Sequence, residues 1–428
     1  MAEKSFDRIR VTVIDGVGCG EETDRREKYP KDIGVNSLAG ASKIAPLNVP
    51  ALQSIGLEHI PGLGKLRVAQ MGARKQVRGA FGALKPTFAG NGSPEGHQGL
   101  MGHIVTKPYL LFDETGFPPE VVELVRNAVS GVLHRPVTIV RYPGTDDING
   151  IKFINHPDIG AAHLASGSGS GPLVIPIYAS SDSLIQIALH QSVVPQEQIE
   201  VIGKAVREAV NQARFRIARI IMRPFMGGPQ AGAFTRVSAD RRDYGVDPDE
   251  PTLINHLSEA GIPAHGLGKA PSMFNYSGFG PNNIQKLESD EERMKAIVRM
   301  LSEDTGARFD LDNLVGTDEL FGHPRKPEEY VGHLEMIDSY VAQGMKAMRN
   351  GDLWILTADH GNDPTQSRHT NHTNERVPLL AFSPRIQRAI DLGTRSSFVD
   401  VAKTVAENFG VANKVRHGSS FLQNLLAA

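Results

Sequence analysis

The densest run of groups able to do metal chemistry is Thr357-Ala358-Asp359-His360-Gly361-Asn362-Asp363, directly after a short apolar stretch at 353–356. Two further imidazoles, His369 and His372, follow within 13 residues of Asp359. Upstream, Asp318 and His323 stand with four residues between them in the loop GTDELFGH, and Asp15 closes a β-branched run at 9–14. Carboxylate oxygen is a hard donor and imidazole nitrogen a borderline one, so a mixed set suits Mn2+, Zn2+ or Mg2+. Three aspartates and three histidines suffice for two ions. A pair of ions about 3.5–4 Å apart can hold the attacking and leaving oxygens of a phosphoryl transfer. Spacing alone leaves open whether these loops meet, and whether His369 or His372 completes the set.

The elements that must position these residues are partly readable. Residues 9–14 predict a buried strand running into Asp15-Gly16-Val17-Gly18-Cys19-Gly20. A carboxylate there sits at the strand's C-terminal edge, where open α/β sheets carry their ligand crevice. Residues 31–103 are glycine-rich with weak periodicity and read as loops and short helices. Near residue 110 the texture changes: helices at 118–132 and 195–213, strands at 137–140, 172–178 and 217–222, and a flexible SGSGSG loop at 166–171 form a smaller α/β domain. Ile199, Ile202, Val206 and Val210 recur at three- and four-residue spacing, giving the second helix one apolar face. Beyond it, helices are expected at 289–303, at 328–348 with Asn350-Gly351 as its cap, and at 397–409 with a Ser N-cap and Gly410 past its end. Short strands at 353–356 and 377–382 lie between them.

Composition bounds the rest. At 428 residues, two domains are expected. Hydrophobic residues make up 40% and charged residues 22%, which excludes wholesale disorder. A net charge of −2 without a polybasic tail argues against nucleic-acid and anionic-membrane partners. No apolar run reaches the roughly 18 residues of a spanning helix. The polar N-terminus and the single cysteine, Cys19, fit a soluble cytoplasmic protein.

The chain resembles the phosphopentomutase family of the alkaline phosphatase superfamily. The likeness rests on Thr357-Ala358-Asp359-His360-Gly361-Asn362-Asp363-Pro364-Thr365, His372-Thr373 and Val377-Pro378, and on Asp318-x-x-Phe321-Gly322-His323, similar to the family's Asp-x-x-Tyr-Gly-His. Asp32-x-Gly34-x-Asn36-Ser37-Leu38, Ser180-Ser181-Asp182-Ser183, Arg223-Pro224-Phe225, Phe234-Thr235-Arg236, Arg241-Arg242-Asp243-Tyr244 and Gly268-Lys269 extend it over nearly the whole chain. The resemblance implies an alkaline-phosphatase-like α/β core, a central mixed sheet flanked by helices, at 1–110 and 252–428. A smaller α/β cap domain is inserted at 111–251.

It further implies one Mn2+ on Asp318, His323 and His372 and a second on Asp15, Asp359 and His360, with Mg2+ or Zn2+ as substitutes. His372 is preferred to His369 because the following Thr and Val-Pro keep the family register, although the interval from Asp359 is one residue longer here. The family nucleophile is a threonine in Gly-Lys-Asp-Thr-x-Thr-Gly-His-Trp-Glu. The aligned stretch is Gly90-Asn91-Gly92-Ser93-Pro94-Glu95-Gly96-His97-Gln98-Gly99, so Ser93 supplies the hydroxyl, and the Lys-Asp and Trp-Glu pairs are gone. Arg223, Arg241 and Lys269 are the expected phosphate ligands, and Asp182 the expected acceptor for sugar hydroxyls. The activity implied is exchange of phosphate between O1 and O5 of a pentose by a monomer primed by a sugar bisphosphate such as glucose 1,6-bisphosphate. A phosphatase, or a mutase for another phosphorylated sugar or nucleoside, is the alternative; a catalytically dead, metal-stabilised binding protein is a third.

Overall fold

The computed structural model describes residues 4–69, 76–112, 116–142, 151–156, 158–179, 183–228, 233–303 and 305–427. They form two compact units, Met1–Lys107 with Pro248–Ala428, and Pro108–Asp247. The mixed α/β architecture expected from the sequence is the one adopted: each unit is built on a mixed sheet with helices packed against it. Among the described residues no helix is long and apolar enough to cross a membrane.

In chain order the strands are β1 (Arg8–Ile14) and β2 (Gly79–Leu84), then β3 (Val137–Tyr142), β4 (Leu173–Tyr178), β5 (Leu184–His190), β6 (Arg219–Gly227), β7 (Phe234–Arg236) and β8 (Arg242–Gly245) of the second unit, then β9 (Ala264–Leu267), β10 (Ile284–Gln285), β11 (Arg308–Leu314), β12 (Asp352–Thr357), β13 (Val377–Phe382) and β14 (Ala389–Arg395). The first unit's sheet runs β10-β9-β11-β1-β12-β13-β2-β14. Central β1 is parallel to both neighbours, with Ile14 opposite Leu314 of β11 and Val13 opposite Thr357 of β12. All three strands therefore end at one edge, and the segments leaving them emerge side by side.

Eight of these fourteen strands lie outside the expected set, β11, β2 and β5 among them. β11 reads RFDLDNL and is buried throughout, because its charges are neutralised across the sheet. Arg10 on β1 lies 3.1 Å from Asp310 and 2.7 Å from Asp312, and Arg308 donates to Asp310 at 3.0 Å. On the other side Arg8 donates twice to Asp352, at 2.6 and 2.5 Å. β2, inside the span read as loops and short helices, is GAFGAL; a Cβ on Gly82 would sit 2.5 Å from the Gly393 carbonyl of β14. Its glycines, depleted in ordinary strands, mark close backbone approach. β5 was not anticipated either; its seven residues, LIQIALH, are buried throughout.

In the second unit the order is β3-β4-β5-β6-β7, with β8 on β6. Helices Pro119–Leu133 and Gln196–Gln212 pack together, burying Val121, Val125, Val129, Ile199, Ile202 and Val206 with Ile175, Ile187 and Ile220. Each such side chain contributes about 1.5–3 kcal/mol when fully buried. The SGSGSG segment differs from the expected free loop. Ser166 and Gly167 end helix Gly160–Gly167, and the Arg135 guanidinium donates to the carbonyls of Ser166 (3.1 Å), Gly169 (3.0 Å) and Gly171 (2.8 Å). Asn350-Gly351 is also not the cap expected. Helix Pro327–Ala347 ends in extended Met348, and the Gly351 carbonyl instead accepts from Asp7 N at 2.7 Å, anchoring the entry to β1.

Candidate metal centre

Asp15 leaves β1, Asp318 follows β11, and Asp359 and His360 follow β12, so the common strand edge gathers four of the expected ligands. Two sets result, Asp318 with His323 and His372, and Asp15 with Asp359 and His360, the donor atoms of each lying within 4.8 Å of one another. His323 Nε2 is 3.2 Å from Asp318 Oδ2 and His372 Nε2 is 3.7 Å from Asp318 Oδ1. His360 Nε2 lies 3.4 Å from both Asp15 Oδ1 and Asp359 Oδ2. The sets adjoin, since the rings of His360 and His372 stack at 3.7 Å. His369 belongs to neither; its Nε2 pairs with Asp32 at 2.6 Å.

The donor chemistry fits divalent cations. All three imidazoles have Nδ1 against a main-chain carbonyl: His323 on Thr370 (2.6 Å), His372 on Asn91 (3.0 Å) and His360 on Gly361 (3.2 Å). A carbonyl can only accept, so Nδ1 carries a proton and Nε2 is the nitrogen left facing the carboxylates, the orientation that metal-bound imidazoles require. Asp15 Oδ1 and Asp359 Oδ2 are buried without a hydrogen-bond donor. Burial, then the neighbouring Asp359 charge, push the Asp15 carboxyl well above its usual range. Burial works against ionisation at Asp318 too, yet His323 and His372 hold its carboxyl well below that range. Three buried carboxylates with one lysine beside them, Lys269 Nζ at 3.8 Å from Asp15, call for added positive charge.

Ser93 opens helix Ser93–Leu100 and is fully buried, its Oγ 3.1 Å from His360 Nε2. The helix lies against the Asp359 main chain, because a Cβ on Gly96 would sit 2.0 Å from the Asp359 carbonyl. His97, one residue on, places Nδ1 2.9 Å from Ser93 O and 3.2 Å from Asp359 Oδ2. Gly96→Ala must therefore separate Ser93 from the acidic cluster by about the length of the added contact. A loss near 100-fold in turnover is expected, the usual cost of about 1 Å of misplacement. Circular dichroism should stay native and steady-state assay should report the loss; full activity would remove the close approach from the argument.

Several contributors carried no signal of their own in the sequence. Asn313 donates to Asp15 Oδ2 at 3.2 Å and Asn362 to Asp318 Oδ1 at 2.7 Å. Glu375 accepts from Ser37 Oγ (2.6 Å), Ser37 N (2.8 Å) and Thr373 Oγ1 (2.7 Å), joining the segment after β1 to that before β13. Burial, then Asp363, push its carboxyl up to about 7. Only Asn362 could have been suspected, from its place in the Asp-His-Gly-Asn run.

Residues 275–413 match the Metalloenzyme superfamily. The matched stretch carries Asp318, His323, Asp359, His360 and His372, whereas Asp15 and Ser93 lie outside it. Among solved structures, the PH0037 protein from Pyrococcus horikoshii is 13% identical, with 96% of this chain and 98% of that one covered and a TM-score of 0.49. A Leishmania mexicana phosphoglycerate mutase, crystallised at low cobalt concentration, is 12% identical over 96% of each chain, with a TM-score of 0.44.

The remaining expected residues fall on both units. Lys269 is beside Asp15 and 3.9 Å from Glu319 in the first unit. Arg223 and Arg241 belong to the second unit. Arg223 Nε donates to Gln186 Oε1 at 2.7 Å, and burial, then the Arg241 charge, lower its pKa to about 9. Arg241 directs its fork at Asp243, at 2.6 and 2.7 Å. Asp182 lies outside the described residues.

Proposed function

We propose that the chain is a two-metal phosphomutase interconverting ribose 1-phosphate and ribose 5-phosphate, or the deoxyribose equivalents, through a phosphoserine at Ser93. The observation that carries this reading is the buried Ser93 hydroxyl, 3.1 Å from His360 Nε2 at the start of a helix, beside two Asp/His sets able to hold divalent ions. The pentose assignment is supported by the motif resemblance along the chain. Asp318, His323 and His372 would hold one ion and Asp15, Asp359 and His360 the other, Mn2+ being proposed and Mg2+ or Zn2+ tolerated. Bound there, the ions would neutralise the transferring phosphoryl group and acidify the serine hydroxyl.

The chain's own groups account for the rest. Helix Ser93–Leu100 presents its first-turn N–H groups and positive dipole end to a phosphoryl group on Ser93. Phosphoserine gives its phosphoryl to the free sugar hydroxyl: an O–P bond forms to the sugar, Oγ–P breaks, and the hydroxyl's proton ends on Oγ. The bisphosphate then turns end for end. Ser93 Oγ takes back the other phosphoryl group and the proton returns to the sugar oxygen. Lys269, Arg223 and Arg241 are assigned to phosphate oxygens and Asp182 to sugar hydroxyls, with residues 111–251 as the substrate-holding cap and 1–110 with 252–428 as the catalytic core. A sugar bisphosphate such as glucose 1,6-bisphosphate would prime the serine.

The test is 31P NMR of Mn2+-loaded, bisphosphate-primed protein with ribose 5-phosphate, stripped of Mn2+ before acquisition. A new anomeric phosphate signal without free phosphate is expected. Inorganic phosphate in its place would make the protein a phosphatase, and no turnover would remove ribose phosphate as substrate.

A further inference from the structure

We infer that Arg325 is a positioning residue for the Asp318/His323/His372 set, acting through the side-chain amide of Asn362; the inference rests on the two-metal reading above. Arg325 lies two residues past His323 with φ 56°, a left-handed conformation uncommon outside glycine. Nη1 donates to Gly322 O (2.8 Å), Asp363 O (3.0 Å) and Asn362 Oδ1. Nη2 donates to His369 O (2.6 Å) and Asn371 O (3.0 Å). The acceptors fall on three segments, and these carry, in turn, Asp318 with His323, Asp359 with His360, and His372. One planar fork thus sets the spacing of the loops that hold the ligands.

The amide makes the connection specific. A guanidinium has donors and no acceptor, so Asn362 must turn its oxygen to Arg325 and its NH2 outward. That NH2 donates to Asp318 Oδ1 at 2.7 Å, which leaves Oδ2 toward His323 Nε2 at 3.2 Å. Asn362 is fully buried, and its backbone N–H donates to Gly16 O at 2.9 Å, so it has no freedom to recruit water instead. Without Arg325 the amide is held from one side only, by the Asp318 carboxylate, and its oxygen loses the donor that fixes the loop and with it the line from Asn362 to Asp318.

Titration calorimetry of the full chain with Mn2+ tests this in wild type, Arg325→Met, Asn362→Leu and the double variant. Wild type should bind two ions. Each single variant should weaken one of them by about 10–100-fold, the usual effect of losing an outer-sphere partner, and spare the other. Because both act on Asp318 by one route, the double variant should be no weaker than the worse single variant, whereas independent structural roles would add. Additive losses, equal losses at both ions, or unchanged binding in Asn362→Leu would overturn the inference. Should Arg325→Met fail to fold, Arg325→Lys takes its place in the cycle, since lysine keeps the charge but cannot bond all three segments at once. A wild type that binds no Mn2+ would instead overturn the two-metal reading itself.

Discussion

Ser93→Ala is expected to abolish phosphoenzyme formation and to lower turnover by about 10⁴-fold or more, the scale seen when a covalent nucleophile is removed. The size follows from geometry: Ser93 Oγ is the buried hydroxyl aimed at His360 Nε2, and alanine leaves nothing there to carry phosphate. Labelling with a 32P sugar bisphosphate should mark wild type at one serine and leave the variant unmarked. The loss should be chemical and not structural, because Oγ makes no helix cap and the six Asp and His donors are untouched by the substitution. The melting temperature should accordingly stay at its wild-type value. Persistent label in the variant would show that another group accepts phosphate, and with it the phosphoserine mechanism would fall.

The second large effect concerns stability. Arg10→Met should destabilise the first unit by about 3–5 kcal/mol, the cost of stranding a buried charge. Arg10 has a side chain only 2% exposed and stands between Asp310 and Asp312, both equally buried. Burial already raises the Asp312 carboxyl, and Arg10 is the largest influence opposing it. Without Arg10 the folded-state pKa rises further above the unfolded value near 3.9. An aspartate so shifted lowers stability at pH values above that unfolded pKa, and the penalty fades as pH falls below it. Urea denaturation at pH 7 and at pH 3.5 should therefore show a large loss and a small one. Pairing Arg10→Met with Asp312→Leu should recover much of the difference, since apolar groups of similar volume replace buried ions well and Asp310 keeps Arg308 as its partner. A loss below about 1 kcal/mol at pH 7 would mean that water reaches this layer.

The sequence by itself determined what depends on residue type and near spacing. The β-branched run into Asp15, the apolar run into Asp359-His360, and the interval from Asp318 to His323 each specify a donor at a strand's end or in a loop. The apolar periodicity at 195–213 likewise specified a helix with one buried face. What only the tertiary structure decided depends on groups hundreds of residues apart. Asp15, Asp318 and Asp359 meet because β1 is parallel to both β11 and β12 in a register that ends all three together. β11 was illegible because its burial is made tolerable by Arg10, a residue 302 positions from Asp312. The register of the following Thr and Val-Pro favours His372 over His369, whereas residue types and spacing leave the two open; the fold pairs His369 with Asp32 and stacks His372 on His360. Arg325 gave no hint at all, since a guanidinium that serves main-chain carbonyls leaves no pattern in side-chain types. Local sequence encodes which atoms can bind; parallel register and backbone carbonyls, which every residue shares, decide which of them meet.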